Sequence, residues 1–154
     1  LYNTSEAHQR IAEAIQQMWQ NNLKIQIELT NEEWKVYLNT QQKMEYQVGR
    51  AGWIGDYNDP NTFLDMWLTG GGNNYTGFTN KKFDKLITAA SQEGDSKKRF
   101  SLFEQAEEIL LDEMPVIPIY HYTSKYLANP KVKGWHPTIL NHHPYKHVSI
   151  APGD

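Results

Sequence analysis

An alternation of extended and helical patterns over the first third of the chain limits the folds that it can adopt. Residues 24–30 alternate apolar and polar side chains, which is typical of a half-buried strand. Apolar residues at helical spacing precede them over residues 5–21 and follow them over residues 32–42. Residues 1–3 and 46–51 are predicted to be further strands. Because repeated strand–helix units pair their strands in parallel, the sequence predicts an α/β fold.

The rest of the chain is predicted to be mostly helical and then irregular. Three more helices are predicted from their first residues: 61–68 behind Pro60, 80–90 capped by Asn80, and 95–113 capped by Asp95. Residues 115–122 are predicted to be a strand, whose prolines suit a sheet edge or a strand start. After Asn129 the chain is rich in Pro, Gly and His. We therefore divide it into an α/β lobe, residues 1–129, and an irregular tail, residues 130–154.

Composition excludes several classes of function. A chain of 154 residues is long enough for one sizeable core, and a net charge of −3 argues against a nucleic-acid-binding surface. Without cysteine there is no disulfide, thiol catalysis or thiolate metal site, which fits an oxidising compartment. The start at Leu1 suggests a piece of a longer chain. Four aromatic residues at helical spacing are expected in the core, namely Trp19, Trp67, Phe83 and Phe103.

Residues 46–60 contain a stretch with little side-chain bulk between two opposite charges. The small residues in it are Gly49, Ala51, Gly52 and Gly55. They leave the backbone open, so another extended chain can approach and form hydrogen bonds with it. Arg50 and Asp56 flank this stretch, and a free peptide carries the complementary carboxylate and ammonium. The segment is predicted to be one wall of a site for an antiparallel peptide, with a span of about 20 Å.

The same residues have simpler structural interpretations. Asp56 lies in a turn-forming sequence, where an aspartate often caps its own backbone. Arg50 can pair with a structural carboxylate such as Asp65 or Glu45. Residues 59–61, Asp-Pro-Asn, are better interpreted as the cap of the third helix than as ligand-binding groups.

The chain offers little for catalysis or metal binding. His136, His142, His143 and His147 invite a metal site, but only His143 and His147 have helical ligand spacing, and Pro144 interrupts them. Asp56 and Asp59 lie close in sequence without a nucleophile–base pair nearby. We therefore predict no catalytic residue, no metal and no cofactor. A hydrolase that uses the histidine-rich tail is the weakest alternative, and it would lose activity to a chelator.

Several motifs in order resemble the carboxy-terminal part of the oligopeptide-binding proteins, which are family 5 extracytoplasmic solute-binding proteins of peptide ABC transporters. These motifs are Leu1-Tyr-Asn-Thr4, Asn31-Glu-Glu-Trp34, Arg50-Ala-Gly-Trp-Ile-Gly-Asp-Tyr-Asn-Asp-Pro60, Asn73-Asn74, Phe83-Asp84 and Met114-Pro-Val-Ile-Pro-Ile-Tyr120. The resemblance covers essentially the whole chain. It implies a type II periplasmic-binding-protein-like lobe with a mixed, largely parallel sheet flanked by helices. This lobe would be a fragment of a two-lobed receptor, and its tail would return toward the absent amino-terminal lobe.

The resemblance also implies a function and a set of site residues. Such a receptor binds short peptides in extended form with little sequence preference, and it is not an enzyme. It works outside the cytoplasmic membrane, free in the periplasm or lipid-anchored, and delivers peptides to a membrane permease. The implied ligand-binding residues are Asp56 for the ammonium, Arg50 and His8 for the carboxylate of shorter and longer peptides, the backbone of Gly52 and Ile54, and Trp34, Trp53 and Asn73 as pocket lining.

A glycan-binding module is the alternative from a different class. It would stack sugars on Trp34, Trp53 and Tyr57. The two hypotheses differ in electrostatics, because a peptide site needs the charge of Asp56 and a neutral sugar site should tolerate Asp56→Asn.

Overall fold

The computed structural model describes residues 1–136, 138 and 140–152, which form two compact units. The first unit contains Leu1–Trp53 and Met66–Asp84. The second contains Ile54–Asp65 and the described residues from Lys85 onward. Because the chain passes from one unit to the other after Trp53, Arg50 belongs to the first unit and Asp56 to the second.

The first unit contains a small parallel sheet formed by two short strands, β1 and β2. The chain begins with β1 (Tyr2–Asn3), α1 (Glu6–Leu23), β2 (Asn31–Glu32) and α2 (Trp34–Gln42). β1 pairs in parallel with β2, with Tyr2 opposite Asn31. On the other side, the Leu1 amino group donates to the Val48 carbonyl at 2.8 Å, and the Arg50 N–H donates to the Leu1 carbonyl at 2.8 Å. The predicted parallel pairing is therefore confirmed, with the start of the chain between two later segments.

The strand predicted over residues 24–30 is wrong. Lys24 ends α1 in the left-handed conformation with φ 58°, and regular pairing starts only at Asn31. Among these residues, Thr30 reaches β1, where its carbonyl accepts from the Tyr2 N–H at 2.9 Å. The Ile27 carbonyl instead accepts from the Gln16 side chain at 2.6 Å. A strand needs a neighbour for its backbone groups, and here a side chain takes one of them.

The strand predicted over residues 1–3 is confirmed as β1. The strands predicted over residues 46–51 and 115–122 are wrong as regular strands, and one helix begins later than predicted. The backbone of residues 46–51 forms hydrogen bonds with Leu1, but neither these residues nor residues 115–122 form a regular strand. Ile117 and Ile119 stay 53% and 58% exposed, so the apolar side of this segment is not covered within the described residues. α2 begins at Trp34 rather than Glu32 because Asn31–Glu32 are used in β2.

The remaining elements are helices and one short hairpin. They are α3 (Asn61–Leu64) with a following 3-10 turn (Asp65–Trp67), α4 (Lys81–Gln92), α5 (Ser96–Glu113), β3 (Val132–Lys133), a 3-10 turn (Tyr145–His147) and β4 (Ser149–Ile150). β3 and β4 pair antiparallel. Asn80 caps α4 by accepting two backbone N–H groups at 2.8 and 3.0 Å, and Asp95 caps α5 at 3.0 Å. Both predicted caps are confirmed.

Each unit has its own buried side chains. Those of the first unit include Tyr2, Tyr37, Phe78 and Phe83; those of the second include Leu64, Ile87, Phe103, Ala106 and Leu110. Of the aromatic residues expected in the core, Phe83 and Phe103 are buried and Trp19 and Trp67 are half-buried. None of the helices within the described ranges combines the length and apolar character that a membrane span requires.

Candidate ligand-binding segment from Arg50 to Asp56

The backbone between Arg50 and Asp56 is open. Within the part of the chain that the structure describes, the N–H and C=O groups of residues 51–55 have no protein hydrogen-bond partner. Ile54 is 77% exposed, so little covers this stretch from the solvent side. Backbone groups without internal partners are available to pair with an extended ligand.

Arg50 is held from several elements of the first unit. Its N–H donates to the Leu1 carbonyl, and its carbonyl accepts the hydroxyl of Tyr37. Its guanidinium donates to the Asn3 side-chain oxygen at 3.4 Å. Tyr37 lies on α2 and is 2% exposed, and burial raises the pKa of its hydroxyl. The position of Arg50 therefore depends on both β1 and α2.

His8 lies near Arg50. The pKa of His8 is lowered mainly by burial and to a smaller extent by the positive charge of Arg50. A hydrogen bond with the Asn3 backbone acts in the opposite direction and raises this pKa. Its Nδ1 atom is buried without a hydrogen-bond partner among the described residues. The structure thus brings together the two residues that were predicted to meet a carboxylate. Asn3 contacts both residues, through its side chain with Arg50 and through its backbone with His8. The sequence analysis did not assign Asn3 to the site, and its place at the end of a short strand was the only sequence signal for it.

Asp56 is exposed and is held by contacts within the second unit. Its N–H donates to the Thr62 hydroxyl at 3.0 Å, and Thr62 is 1% exposed. No described residue donates a hydrogen bond to the Asp56 carboxylate, so the self-capping turn is not observed. Gly55 packs against α3, the helix that contains Thr62, because a Cβ at position 55 would lie 3.1 Å from side-chain atoms of both Thr62 and Phe63.

The turn that follows Asp56 is tied to α5. Asp59 accepts the Asn61 N–H at 2.9 Å, which confirms that residues 59–61 cap α3. The Arg99 guanidinium also donates twice to Asp59, at 2.5 and 2.9 Å, and this pairing lowers the pKa of the Asp59 carboxyl. Asp65, considered above as a partner for Arg50, accepts from Tyr57 at 3.2 Å and from Asn61 at 2.9 Å.

The predicted pocket-lining residues all lie in the first unit. Trp34 is 51% exposed and stacks on Tyr37, with ring centroids 5.6 Å apart. Trp53 is half-buried, and its indole N–H has no partner among the described residues. Asn73 is exposed in the loop between the 3-10 turn and α4. These side chains offer aromatic surface and polar groups, and their role as lining stays a prediction.

The tail histidines make contacts of another kind. His143 stacks on Trp135 at 4.1 Å between ring centroids, and its Nδ1 atom lies 3.0 Å from the His136 carbonyl. Within residues 1–136, 138 and 140–152, no three metal-ligating side chains come close enough to hold an ion.

Comparison with known proteins identifies the family. The profile described as "Bacterial extracellular solute-binding proteins, family 5 Middle" matches residues 1–75. The chain is 47% identical over 134 residues to the oligopeptide-binding protein OppA of Bacillus subtilis, which covers 86% of this chain and 25% of that protein. It is 42% identical over 135 residues to the periplasmic murein peptide-binding protein MppA of Escherichia coli, and this match covers 88% of this chain and 25% of MppA. The chain belongs to family 5 of the bacterial extracellular solute-binding proteins.

Solved structures of family 5 proteins share this fold. The murein tripeptide-binding protein MppA of Escherichia coli superposes with a TM-score of 0.86 at 37% identity, covering 99% of this chain and 30% of that one. The Haemophilus influenzae OppA structure, a complex with RPPGFSPFR, gives a TM-score of 0.86 at 33% identity, covering 98% and 30%. The predicted fold class is therefore confirmed. The chain spans between a quarter and a third of the length of these family 5 relatives.

Membership of family 5 also bears on the functional alternatives. Its members are extracellular solute-binding proteins, and the relatives named above are peptide-binding proteins. They are transport proteins rather than enzymes, and nothing in the comparisons supports glycan binding. The division at residue 129 and the individual site residues are not tested by these similarities and stay predictions.

Proposed function

We propose that this chain is the peptide-binding lobe of an ABC-transporter solute-binding protein that takes up short peptides in extended form. The observation that carries the proposal is the open backbone of residues 51–55 between Arg50 and Asp56. Main-chain pairing binds any peptide in similar register, whatever its side chains. The proposed receptor therefore has little sequence preference.

The charges at the two ends of the segment would set the register of the ligand. Asp56 offers an exposed carboxylate that no described residue pairs, which suits a peptide ammonium. Arg50 and His8 lie near each other at the other end, and the guanidinium suits a peptide carboxylate. A ligand bound in this way runs antiparallel to the protein segment. Trp34, Trp53 and Asn73 would line the space for its side chains.

Membership of the family supports the remaining partners of the proposal. The chain would work together with an amino-terminal lobe of the same protein, and closure of the two lobes around the peptide would signal the loaded state to a membrane permease. It would act in the periplasm or from a lipid anchor outside the cytoplasmic membrane, and it needs no cofactor. The names of the relatives, which include oligopeptide-, dipeptide- and murein-peptide-binding proteins, support peptides as the ligand class.

Calorimetric titration of the complete receptor with a short peptide and its N-acetylated twin tests the proposal. We expect the free amine to bind and acetylation to abolish or strongly weaken binding. Asp56→Asn should weaken binding of the free amine by about 2–5 kcal/mol, because it removes one partner of a desolvated charge pair. Asp112→Asn, at an exposed position on α5, is the matched control and should bind normally.

One result would contradict the proposed ammonium site, and another would contradict only the role of Asp56 in it. Equal binding of the peptide and its acetylated twin would remove the ammonium site. Unchanged affinity in Asp56→Asn, with acetylation still harmful, would leave amine recognition in place but assign it to another residue.

A further inference from the structure

A network of polar contacts supports the turn that contains Asp56. The two terminal nitrogens of the Arg99 guanidinium donate to the two carboxylate oxygens of Asp59, at 2.5 and 2.9 Å. The same side chain donates through Nε to the Ala90 carbonyl at 3.1 Å and lies over the Phe103 ring, 4.7 Å from its centroid. Arg99 is thus fixed by Ala90 of α4, by Phe103 of α5 and by Asp59 of the turn, and these three residues belong to the second unit.

The contacts lead from Arg99 to Asp56 in short steps. Asp59 accepts the N–H of Asn61, the first residue of α3, and so fixes the start of that helix. The next residue, Thr62, is almost fully buried, and its hydroxyl accepts the Asp56 N–H. The close packing of Gly55 on Thr62 and Phe63 leaves this turn little freedom to shift. A displacement of Asp59 would therefore be transmitted to the Asp56 backbone.

This pair differs from an ordinary surface ion pair. Arg10 and Glu6 on α1 meet through a single 3.5 Å contact, and their side chains are 80% and 89% exposed. The side chains of Arg99 and Asp59 are 25% and 27% exposed, and their contact is bidentate. Bidentate arginine–carboxylate pairs fix geometry, whereas exposed single contacts contribute little.

Arg99 also separates two carboxylates that lie close in sequence. Asp56 and Asp59 are both candidates for a ligand ammonium by charge alone. Arg99 occupies Asp59 through both carboxylate oxygens, while the Asp56 carboxylate has no partner among the described residues. An ammonium would then meet one available carboxylate with a fixed position.

We propose that Arg99 is a positioning residue for ammonium recognition: through Asp59 and Thr62 it holds Asp56 where the peptide amine binds. This inference rests on the proposed function, because Arg99 itself contacts no ligand. Its loss should weaken recognition of the amino end and leave recognition of the carboxylate end, which involves Arg50 in the other unit, unchanged.

The test compares three ligands in the complete receptor: a free peptide, its N-acetylated form and its C-terminally amidated form. Calorimetry, by competition where binding is weak, gives the fold-loss caused by each modification. In Arg99→Gln we expect the fold-loss from N-acetylation to shrink about tenfold, and the fold-loss from amidation to stay as in the wild type. Arg10→Gln is the control, since it removes an arginine–carboxylate pair elsewhere and should change neither ratio.

Two further variants keep the test decisive. Arg99→Lys keeps the charge but loses the two-pronged contact, so its acetylation ratio should lie between those of wild type and Arg99→Gln, and it carries the test if Arg99→Gln does not fold. Asp59→Asn should resemble Arg99→Gln, and the double variant should be no worse than either single one.

The outcomes separate this inference from the proposed function. A wild-type receptor that does not discriminate against acetylation defeats the proposed function itself. A wild type that discriminates, with both Arg99 variants keeping the full acetylation ratio, overturns only the positioning role. Equal shrinkage of the acetylation and amidation ratios would also overturn it, because a general structural role predicts that result.

Discussion

The two charged ends of the segment from Arg50 to Asp56 are held in different ways. Arg50 is fixed by residues that lie far away in sequence, since its backbone contacts Leu1 and Tyr37 and its side chain contacts Asn3. Asp56 is fixed by its near neighbour Thr62, six residues further on. The position of Arg50 therefore needs the folded sheet of the first unit, whereas that of Asp56 needs a single turn and its support.

This difference suggests that the two ends respond differently to mutation. A change at the Arg50 end should alter the stability of the unit, because buried groups are lost with it. A change at the Asp56 end should alter ligand recognition more than stability, because the exposed carboxylate contributes little to folding. The following predictions test that separation.

Tyr37→Phe should give the largest change in stability. The substitution leaves the part-buried Arg50 carbonyl without its hydroxyl donor, and the loss of such a donor costs about 1–3 kcal/mol when the carbonyl is shielded from water. Chemical denaturation of the complete receptor measures the loss. Tyr145→Phe is the control: Tyr145 is 76% exposed, so its free energy of unfolding should change by less than about 0.5 kcal/mol. Equal stability of the two variants would mean that the Tyr37 hydroxyl does not hold Arg50.

Gly55→Ala should have a smaller effect on stability and a clear one on ligand binding. The new methyl group would lie 3.1 Å from Thr62 and Phe63, so the turn must shift by a few tenths of an ångström, at a cost of about 1 kcal/mol. The shift should weaken binding of a free-amine peptide. Gly72→Ala meets no atom within 4 Å and should be neutral or stabilise the protein by about 0.4–1 kcal/mol. Normal peptide affinity in Gly55→Ala would show that the Asp56 turn tolerates displacement.

The pH dependence of stability at the Arg50 end should be the smallest effect. The folded protein holds the pKa of His8 below its ordinary value of 6.5, chiefly through burial and then through Arg50. The unfolded chain therefore takes up a proton first as the pH falls, so stability is full above about pH 6.5 and decreases below it. In His8→Gln, the free energy of unfolding measured by denaturation should decrease less between pH 7 and pH 5 than in the wild type. His121→Gln, at an exposed position, should show the same decrease as the wild type. An unaltered slope in His8→Gln would exclude His8 as its source.

The helices could be predicted from sequence because they satisfy their own backbone hydrogen bonds. Asn80 and Asp95 mark the starts of α4 and α5, and both act as caps in the structure. The strands failed at residues 24–30 and 115–122 for the opposite reason, since a strand exists only where another segment pairs with it. The alternation of side chains shows that such a segment can be half-buried, but it does not show what covers it.

The local part of the candidate site could be predicted from the sequence, whereas the contacts that support it could not. Arg50, Asp56 and the small residues between them stand together in the sequence, so their charge pattern and open backbone could be recognised. The residues that hold them could not be recognised in this way. Asn3 reaches Arg50 across 47 positions of sequence, and Arg99 reaches Asp59 across 40. No local pattern records contacts at such separations.

Both backbone groups of Arg50 are already engaged, the N–H with Leu1 and the carbonyl with Tyr37. A peptide bound as proposed can therefore form rungs of a ladder only beyond Arg50. Alternate residues of an antiparallel strand turn both of their backbone groups toward the same neighbour. Gly52 and Ile54, the backbone partners that the family resemblance implies, have this spacing and would provide these rungs. Once a peptide reaches both, each added residue gains no further main-chain bond from this segment. Affinity should then level off with peptide length instead of rising with every residue.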